Sequence, residues 1–316
     1  MRALITGING FVGQHLTTNL INNGYEVWGS TRQSPPKHST SINNVHFDFS
    51  NKNMIVNILE NIKPDVIFHL SGQSSVKYSW DHIDETFQSN VMDSIGLLEA
   101  IKCSSLKENV KIISAGSSEE YGLIHELPII EEAIANPLNP YGVSKLSVSK
   151  LAPMYYNLHG LNIIHARAFN HIGPGQMLGF VTSDFAKQVV DIELGKAEPV
   201  LYVGDLSSKR DFTDVRDIVE AYRLLCEKGA SGQVYNVCSN VSISIEKILN
   251  ILVSFSSKSI EVIIDEAKLR PNNVIEYYGS NEKLYQATEW KPSISLETSL
   301  KDIFQFWKQN RLVVKK

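Results

Sequence analysis

The first 170 residues alternate short β-branched apolar runs with longer segments in which apolar side chains recur every three or four residues. The short runs predict buried strands, and the longer segments predict amphipathic helices. The predicted strands cover residues 3–6, 26–29, 45–48, 66–70, 110–114 and 162–166. The predicted helices cover residues 11–23, 52–62, 83–102 and 141–159. Because strands that alternate with helices form βαβ units, we expect an α/β fold with a doubly wound parallel sheet.

The pattern changes after Asn170, where the elements become shorter and more mixed. A helix over 180–194 follows a Gly-Pro-Gly loop, while a helix over 215–226 and a strand over 234–237 are placed to rejoin the sheet. The division we expect is a cofactor-binding domain of residues 1–168, with about 212–240 returning to it, and a smaller C-terminal substrate-binding α/β region of residues 169–211 and 241–316. No Pro/Gly-rich linker separates the two parts, so we expect them to pack together.

Composition and charge narrow the function classes. The 316 residues carry 30 Lys and Arg against 34 Asp and Glu, a net charge of −4, and 43% of them are hydrophobic. An acidic chain without a basic run is a poor candidate for binding nucleic acid. No apolar run approaches the roughly 20 residues that a membrane helix needs. The first strand begins directly after Met1-Arg2, so we expect no signal peptide.

The cysteines indicate the compartment. Cys103, Cys226 and Cys238 are far apart and form no CxxC pair. This sparse, odd number fits buried thiols in a reducing compartment and neither a disulfide framework nor a zinc site. We therefore expect a cytoplasmic protein that holds no metal.

A glycine-rich turn lies between the first strand and the first helix, where residues 6–13 read TGINGFVG. Its three glycines would allow a tight turn, the approach of a pyrophosphate to bare backbone, and close packing of the helix. The N–H groups at a helix N-terminus then hold phosphate. The predicted cofactor contacts in this turn are Gly7, Asn9, Gly10, Phe11, Val12 and Gly13.

The end of the second strand indicates which dinucleotide binds. An acidic residue at this position, about 20 residues after the glycines, would hold the ribose 2′-hydroxyl of NAD. This chain has Ser30, Thr31 and Arg32 instead, which suit a 2′-phosphate. We therefore predict NADP(H) in preference to NAD(H), with Asp48 at the end of the third strand meeting the adenine and Phe49 beside it.

A tyrosine and a lysine one helical turn apart are the candidate chemistry. Asn139 and Pro140 are typical of an N-cap and a first helical position, which puts Tyr141 and Lys145 on one face of the helix. An ammonium so close would lower the pKa of the phenol and make Tyr141 a general acid/base. Ser117, after the fifth strand, lies where ligands bind in parallel sheets and could hydrogen-bond the same substrate oxygen.

These motifs resemble the extended short-chain dehydrogenase/reductase family, also called the NAD-dependent epimerase/dehydratase family, whose fold is Rossmann-type. The resemblance covers essentially the whole chain. It rests on the glycine turn, the Ser117 segment and the Tyr141/Lys145 pair, and on residues 69–72, 90–91, 169–176, 179–187, 210–217 and 234–238. It implies an NADPH-dependent oxidoreductase that reduces the C4 ketone of GDP-4-keto-6-deoxy-D-mannose to a GDP-6-deoxy-hexose (GDP-D-rhamnose) for surface polysaccharide.

The resemblance also implies roles for individual residues. Tyr141 would protonate the C4 oxygen, Lys145 would hold the nicotinamide ribose, and Ser117 would position the carbonyl. Leu70, Ser71 and Gly72 would complete the cofactor site, together with Tyr141 and Lys145. The implied contacts with the GDP-sugar substrate are Ser117, Ser118, Glu119, Asn170, Val181, Lys187, Arg210 and Arg270. A homodimer formed through helix 83–102 and the Tyr141 helix is a further implication.

Other readings stay open. Glu119 occupies the position at which the 4,6-dehydratases of this family carry a glutamate, so a GDP-mannose 4,6-dehydratase, or another nucleotide-sugar epimerase or dehydratase, is the main alternative. An NADP-binding sensor without catalysis is the other. We interpret His69 and Glu120 as structural. The apolar residues of helix 83–102 at helical spacing are interpreted as core: Ile83, Phe87, Val91, Ile95 and Leu98.

Overall fold

The computed structural model describes residues 1–31, 42–268 and 276–313. The strands are β1 (Arg2–Thr6), β2 (Glu26–Thr31), β3 (Asn43–His46), β4 (Val66–His69), β5 (Lys111–Ser117), β6 (Asn162–Ala168), β7 (Asn170–Ile172), β8 (Val200–Val203), β9 (Lys209–Asp214), β10 (Val234–Val237), β11 (Ser242–Ser244), β12 (Glu261–Ile264) and β13 (Glu276–Tyr277). The helices are α1 (Phe11–Asn22), α2 (Lys52–Ile62), α3 (Val76–Asp81), α4 (Ile83–Phe87), α5 (Asp93–Cys103), α6 (Pro140–His159), α7 (Val181–Glu193), α8 (Val215–Lys228), α9 (Ile245–Ser254), α10 (Glu282–Thr288) and α11 (Leu296–Val313). A π-helical turn spans Gln88–Met92, and 3₁₀ turns span Ser118–Glu120 and Glu266–Lys268.

Seven parallel strands form the main sheet, in the order β10-β6-β5-β4-β1-β2-β3. The strand order reverses at β1, with β2 on one side and β4 on the other. Such a reversal opens a crevice at the carboxyl ends of the two strands, where ligands of doubly wound sheets bind. Gly7 follows β1 and Leu70 follows β4, so both segments lie at this crevice. The predicted fold class is confirmed.

Helices cover both faces of this sheet because successive strand residues point to opposite sides. Ile5 contributes to the cluster beneath α1 and α8, while Leu4 contributes to the cluster beneath α2, α5 and α6. Both side chains are completely buried. Burying an aliphatic side chain of this size stabilises the fold by about 1.5–3 kcal/mol. Because each cluster contains many such side chains, the sheet that carries the crevice is firmly packed on both faces.

The C-terminal half has its own small core and also contributes to the main sheet. Helices α7, α9 and α11 enclose an apolar cluster with β8. Strand β9 pairs with β7, β11 and β13. As predicted, 234–237 forms a strand of the main sheet, where β10 pairs with β6, and α8 packs on the sheet beside α1. Asp211 in β9 links this strand to the segments that follow β10 and β13. It accepts hydrogen bonds from Ser239, Asn240 and the Gly279 amide.

Three of the predicted elements that differ from the structure lie next to the site. The helix expected over 83–102 is interrupted by the π-helical turn, within which the Asn90 side chain bonds the backbone of Gln73. Strand β3 ends at His46, so Asp48 lies beyond it and bonds Ser50. Strand β5 continues to Ser117 because pairing with β6 extends that far.

The apolar stripe of helix 83–102 is also corrected. Leu98 is buried as expected, whereas Ile83 is 51% exposed and the three residues between them are only partly buried. The N-terminal end of this apolar stripe therefore lies outside the core. Among the described residues, no helix combines the length and apolar character required to cross a bilayer.

Candidate active site

The glycine turn after β1 has the geometry of a phosphate cradle. Gly7 has a φ of +76°, which only glycine adopts without strain. A Cβ on Gly13 would lie 2.4 Å from the Gly7 carbonyl oxygen, so helix α1 can approach the turn only because residue 13 is a glycine. Helix α1 has no side-chain cap and no acidic residue in its first turn. Its N-terminal N–H groups therefore favour an anionic ligand.

The expected adenosine contacts are divided between described and undescribed residues. Strand β2 ends in Ser30 and Thr31, neither of which carries a carboxylate. Arg32, predicted to meet a 2′-phosphate, lies outside the described residues. Asp48 is exposed and its carboxylate accepts from the Ser50 amide and hydroxyl, which lower its pKa. Phe49 beside it is buried.

A buried polar chain fixes the end of β4 at the crevice. His69 Nδ1 lies 2.8 Å from the Thr6 hydroxyl, and its Nε2 lies 2.8 Å from the Ser94 hydroxyl. Burial, with the charge of Lys145, lowers the pKa of His69 to about 3, so the ring is neutral at physiological pH. The Ser71 hydroxyl lies 3.1 Å from the Thr6 hydroxyl. These hydrogen bonds hold the backbone of the predicted cofactor segment, Leu70, Ser71 and Gly72, in place.

Asn90, in the π-helical turn, joins that segment to the Tyr141 helix. Its carbonyl oxygen accepts from the Gln73 amide at 2.7 Å, and its amide donates to the Ser144 hydroxyl at 2.9 Å. A Cβ on Gly72 would lie 2.6 Å from that carbonyl oxygen and 3.9 Å from Lys145 Nζ. The backbone at Gly72 therefore runs close to Lys145. Asn90 is a positioning residue whose partners the sequence did not identify.

The start of α6 confirms the predicted cap and places the tyrosine. The Asn139 side chain accepts from the Gly142 amide at 2.7 Å, and Pro140 occupies the first helical position. Tyr141 is 8% exposed, with its amide bonded to the Ser79 hydroxyl. Lys145 Nζ donates to the Ala115 carbonyl at 2.9 Å and lies 5.9 Å from the centre of the Tyr141 ring.

The expected acidification of Tyr141 by Lys145 is wrong. Burial raises the pKa of Tyr141, the charges of Glu119 and Glu120 raise it further, and only Ser117 lowers it. The Lys145 ammonium is directed at the Ala115 carbonyl and not at the phenol. Burial lowers the pKa of Lys145 itself to about 8. At neutral pH the site therefore contains a protonated phenol beside a charged ammonium, which is an arrangement for donating a proton.

Ser117 is the last residue of β5 and faces the same phenol. Its amide donates to Glu120 Oε1 at 2.9 Å, and its hydroxyl accepts from the Glu119 amide at 3.2 Å. Ser117, Tyr141 and Lys145 are thus brought together from β5 and α6 at the carboxyl end of the sheet, as the sequence predicted.

Several predicted substrate contacts lie around Tyr141. The Glu119 carboxylate accepts from the Asn139 side chain at 2.7 Å, and its charge acts on both Tyr141 and Arg210. The Ser118 side chain is buried, and its carbonyl accepts from the Tyr277 hydroxyl at 2.6 Å. One face of the site is therefore built by the turn Ser118–Glu120 and by Arg210.

The other predicted substrate contacts are more dispersed. Asn170 is exposed in β7, and Val181 begins α7. Lys187, one helical turn before Asp191, forms an ion pair with it at 2.8 Å, and Arg311 from α11 pairs with the same carboxylate. Arg270 lies outside the described residues. The structure therefore shows Lys187 bound to protein carboxylate and does not place it beside Tyr141.

The glycine turn and the start of α1 contact the β7 segment. The Phe11 ring stacks on His171 at 6.1 Å, and His15 Nε2 lies 2.9 Å from the Pro174 carbonyl. A Cβ on Gly173 would lie 2.5 Å from a Val215 methyl and 3.5 Å from the Phe11 ring. The predicted cofactor turn and the predicted substrate segment that begins at β7 are therefore in direct contact. The periodicity of the sequence did not indicate that these aromatic side chains meet.

Comparisons with known proteins agree with this geometry. The family model described as GDP-mannose 4,6 dehydratase matches residues 4–303. A GDP-6-deoxy-D-mannose reductase from Pseudomonas aeruginosa is 34% identical over 97% of this chain and 97% of its own. A GDP-mannose 4,6 dehydratase from Cricetulus griseus is 30% identical over 96% of this chain and 90% of its own.

Two solved structures show the same architecture. RMD from Pseudomonas aeruginosa, complexed with NADPH, has a TM-score of 0.87 at 32% identity, covering 98% of this chain and 99% of that one. UDP-glucose 4-epimerase from Thermotoga maritima, with UDP-glucose, has a TM-score of 0.88 at 26% identity, covering 98% and 100%. The resemblance drawn from the motifs is thereby confirmed, and the chain belongs to the GDP-mannose 4,6 dehydratase family of extended short-chain dehydrogenases/reductases.

Proposed function

We propose that this protein reduces the C4 ketone of GDP-4-keto-6-deoxy-D-mannose with NADPH, giving a GDP-6-deoxy-hexose such as GDP-D-rhamnose. The observation that carries the proposal is the buried Tyr141 phenol beside Ser117 and Lys145 at the carboxyl end of the sheet. The 34% identical relative named as a GDP-6-deoxy-D-mannose reductase supports this substrate. The domain of 1–168 with about 212–240 would bind the cofactor, and the rest would bind the GDP-sugar.

The residues at the crevice fit NADP(H). A Cβ at Gly7 would lie 2.9 Å from the Ser71 amide nitrogen and at Gly13 2.4 Å from a carbonyl oxygen, so a side chain at either position would fill the turn. Strand β2 ends in Ser30 and Thr31. It therefore has no carboxylate at its end that would repel a 2′-phosphate. The similar solved structure was determined with NADPH. We assign the cofactor phosphates to residues 7–13 and the nicotinamide ribose to Lys145.

The proton side of the reduction follows from the site. When bound, the dihydronicotinamide supplies a hydride to the C4 carbon. Ser117 donates a hydrogen bond to the carbonyl oxygen and holds it next to the phenol. Tyr141 transfers its proton to that oxygen as negative charge develops, which converts the ketone to an alcohol. A phenol whose pKa is raised is protonated at neutral pH before the transfer, so Tyr141 begins the reaction as the proton donor.

Glu119 favours a second candidate activity, the 4,6-dehydration of a GDP-hexose. Its carboxylate is held by Asn139 and is close enough to affect Tyr141 electrostatically. A base in that position could remove a proton next to a ketone. The reductase remains the preferred function because the dehydratase from Cricetulus griseus is 30% identical, below the 34% of the reductase.

Net NADPH consumption tests the proposal. With GDP-4-keto-6-deoxy-D-mannose we expect one NADPH oxidised per sugar reduced and a higher kcat/KM with NADPH than with NADH. UDP- and dTDP-4-keto-6-deoxy sugars serve as controls, and NMR of the product gives its C4 configuration. A dehydratase or epimerase recycles its cofactor, so turnover of a GDP-sugar without net NADPH loss would contradict the reductase. Binding without any turnover would favour the sensor.

We also propose that the protein is a homodimer through α4, the π-helical turn and α6. Val143, Met154 and Leu158 recur at helical spacing on α6 and are 40%, 40% and 70% exposed. Ile83 and Met92 on the neighbouring segments are about half exposed. Apolar side chains clustered on packed helices mark an interaction surface.

Light scattering coupled to size exclusion tests the dimer. We expect twice the chain mass at micromolar concentration for the wild type and the monomer mass for Leu158→Glu, because a charge at this position would be buried without a partner. Ile134→Glu, which alters an apolar residue that is 85% exposed outside these helices, is the matched control and should stay dimeric. A monomeric wild type would contradict the assignment.

We place the enzyme in the cytoplasm. All three cysteines are free thiols, and two of them, Cys226 and Cys238, are buried. Free buried thiols persist in reducing compartments. Recovery of the full-length protein in a periplasmic or membrane fraction would contradict this placement.

A further inference from the structure

A buried ionic cluster lies directly behind Ser117. Glu120 has no exposed surface, and its carboxylate accepts three hydrogen bonds: from the Ser117 amide at 2.9 Å, from His165 Nε2 at 2.9 Å and from Arg167 Nε at 2.6 Å. His165 is likewise fully buried and Arg167 is 4% exposed. A Cβ on Gly116 would lie 2.6 Å from the Glu120 carboxylate, so the glycine is what lets this carboxylate reach the strand.

Arg167 extends the cluster to the Tyr141 helix. Its guanidinium donates to the Ser149 hydroxyl on α6 at 2.9 Å and lies 4.6 Å from the centre of the Tyr121 ring. The cluster therefore spans the two elements that carry Ser117 and Tyr141. Buried ion pairs are poor stabilisers, because the cost of removing two charges from water is often as large as their attraction. A role beyond stability is accordingly expected.

His165 bonds the Glu120 carboxylate through one ring nitrogen only. His165 Nε2 faces a carboxylate oxygen, so it carries the proton, and His165 Nδ1 has no hydrogen-bond partner among the described residues. A neutral imidazole satisfies this geometry. Arg167 is therefore the cation that compensates Glu120 within the cluster.

We propose that Glu120 is a positioning residue of the reduction, which holds the Ser117 backbone against the carbonyl site and supplies a buried negative charge beside β5, the strand whose Ala115 carbonyl Lys145 bonds. The proposal rests on the proposed reductase function. It assigns a role to a residue that the sequence suggested was only structural.

The groups around Lys145 show why this charge matters. Burial lowers the pKa of Lys145, and Glu120 is the carboxylate that opposes the shift. Among the described residues, the ammonium also acts on His69 on β4, which is neutral, and lies 5.9 Å from the centre of the Tyr141 ring on its own helix. Removing the Glu120 charge lowers the pKa of Lys145 further, so Lys145 loses its proton at lower pH. The basic limb of the kcat/KM profile then moves towards lower pH.

The test uses Glu120→Gln in the full-length enzyme with NADPH and the keto sugar. We expect kcat to fall roughly tenfold to hundredfold with little change in KM, as for a misplaced reacting group, and the basic limb to move to lower pH. Because this variant leaves Arg167 buried without a carboxylate, Glu120→Gln/Arg167→Met is the second variant, in which no charge remains unpaired. It should fold and keep the loss of kcat, with a smaller shift of the limb because the positive charge of Arg167 is removed together with the negative charge of Glu120.

A double-mutant cycle with Ser117→Ala separates positioning from stability. If Glu120 acts through Ser117, Glu120→Gln should lower kcat much less in the Ser117→Ala background than in the wild type. Glu131→Gln, which alters a carboxylate bonded to the Asn236 amide, is the control and should leave the limb in place. Additive losses with an unmoved limb would overturn the proposal. A wild type that consumes no NADPH would instead refute the reductase function itself.

Discussion

Replacing Tyr141 by phenylalanine should lower kcat by about 10²–10⁴-fold, the range expected for loss of a general acid. The phenol is the proton donor next to Ser117, and burial raises its pKa so that it is protonated throughout the neutral range. Because the ring stays, packing around this 8% exposed residue is retained and the fold should be little affected. NADPH oxidation under saturating substrate measures the loss.

Two controls make the Tyr141 result specific. Tyr156→Phe changes a tyrosine on the same helix that is 39% exposed, and it should keep nearly wild-type kcat. Titration of NADPH fluorescence should show that Tyr141→Phe still binds the cofactor, because the glycine turn that would hold its phosphates is unchanged. A loss below about tenfold, against the range for an acid/base group, would mean that the proton comes from another donor.

The parts of the site that the sequence predicted are those fixed by local backbone rules. The turn at Gly7 needs a positive φ, and the start of α6 needs an Asn cap followed by Pro140; both are written in adjacent residues. The placement of Ser117 beside Tyr141 followed from a fold-level rule, since parallel strands end at one edge of the sheet. These rules act over a few residues or over the whole topology.

The parts that were missed depend on partners far apart in the chain. Glu120 meets His165 and Arg167 some 45 residues later. The spacing of Ser117 and Glu120 matches a capping box, which accounts for the bond to the Ser117 amide, but no local pattern indicates these two distant partners. The direction of the Tyr141 pKa was missed for a related reason: helical spacing fixes the distance to Lys145, whereas burial, which dominates, depends on the folded surroundings. The π-helical turn at Asn90 depends likewise on a bond to Gln73 in another segment.

Replacing Gly13 by alanine should weaken NADPH binding by at least about tenfold, equivalent to about 1.4 kcal/mol. The new Cβ would lie 2.4 Å from the Gly7 carbonyl oxygen and 2.7 Å from the Ile8 carbonyl oxygen. Both atoms belong to the backbone, so neither can rotate away. Helix α1 would have to move from the turn, and its N-terminal N–H groups would leave the phosphate site. We also expect the free energy of unfolding to fall by about 1–3 kcal/mol, as for overpacking elsewhere.

The matched control for Gly13→Ala is Gly24→Ala. Gly24 follows α1 with a φ of +79° and nothing within 4 Å of an added Cβ. An alanine there should therefore cost about 1–2 kcal/mol of backbone strain and leave the affinity for NADPH unchanged. Urea unfolding and fluorescence titration measure the two quantities separately. If Gly13→Ala is destabilised but binds NADPH as tightly as Gly24→Ala, the close packing at Gly13 serves only the fold, and the phosphates of the cofactor bind elsewhere.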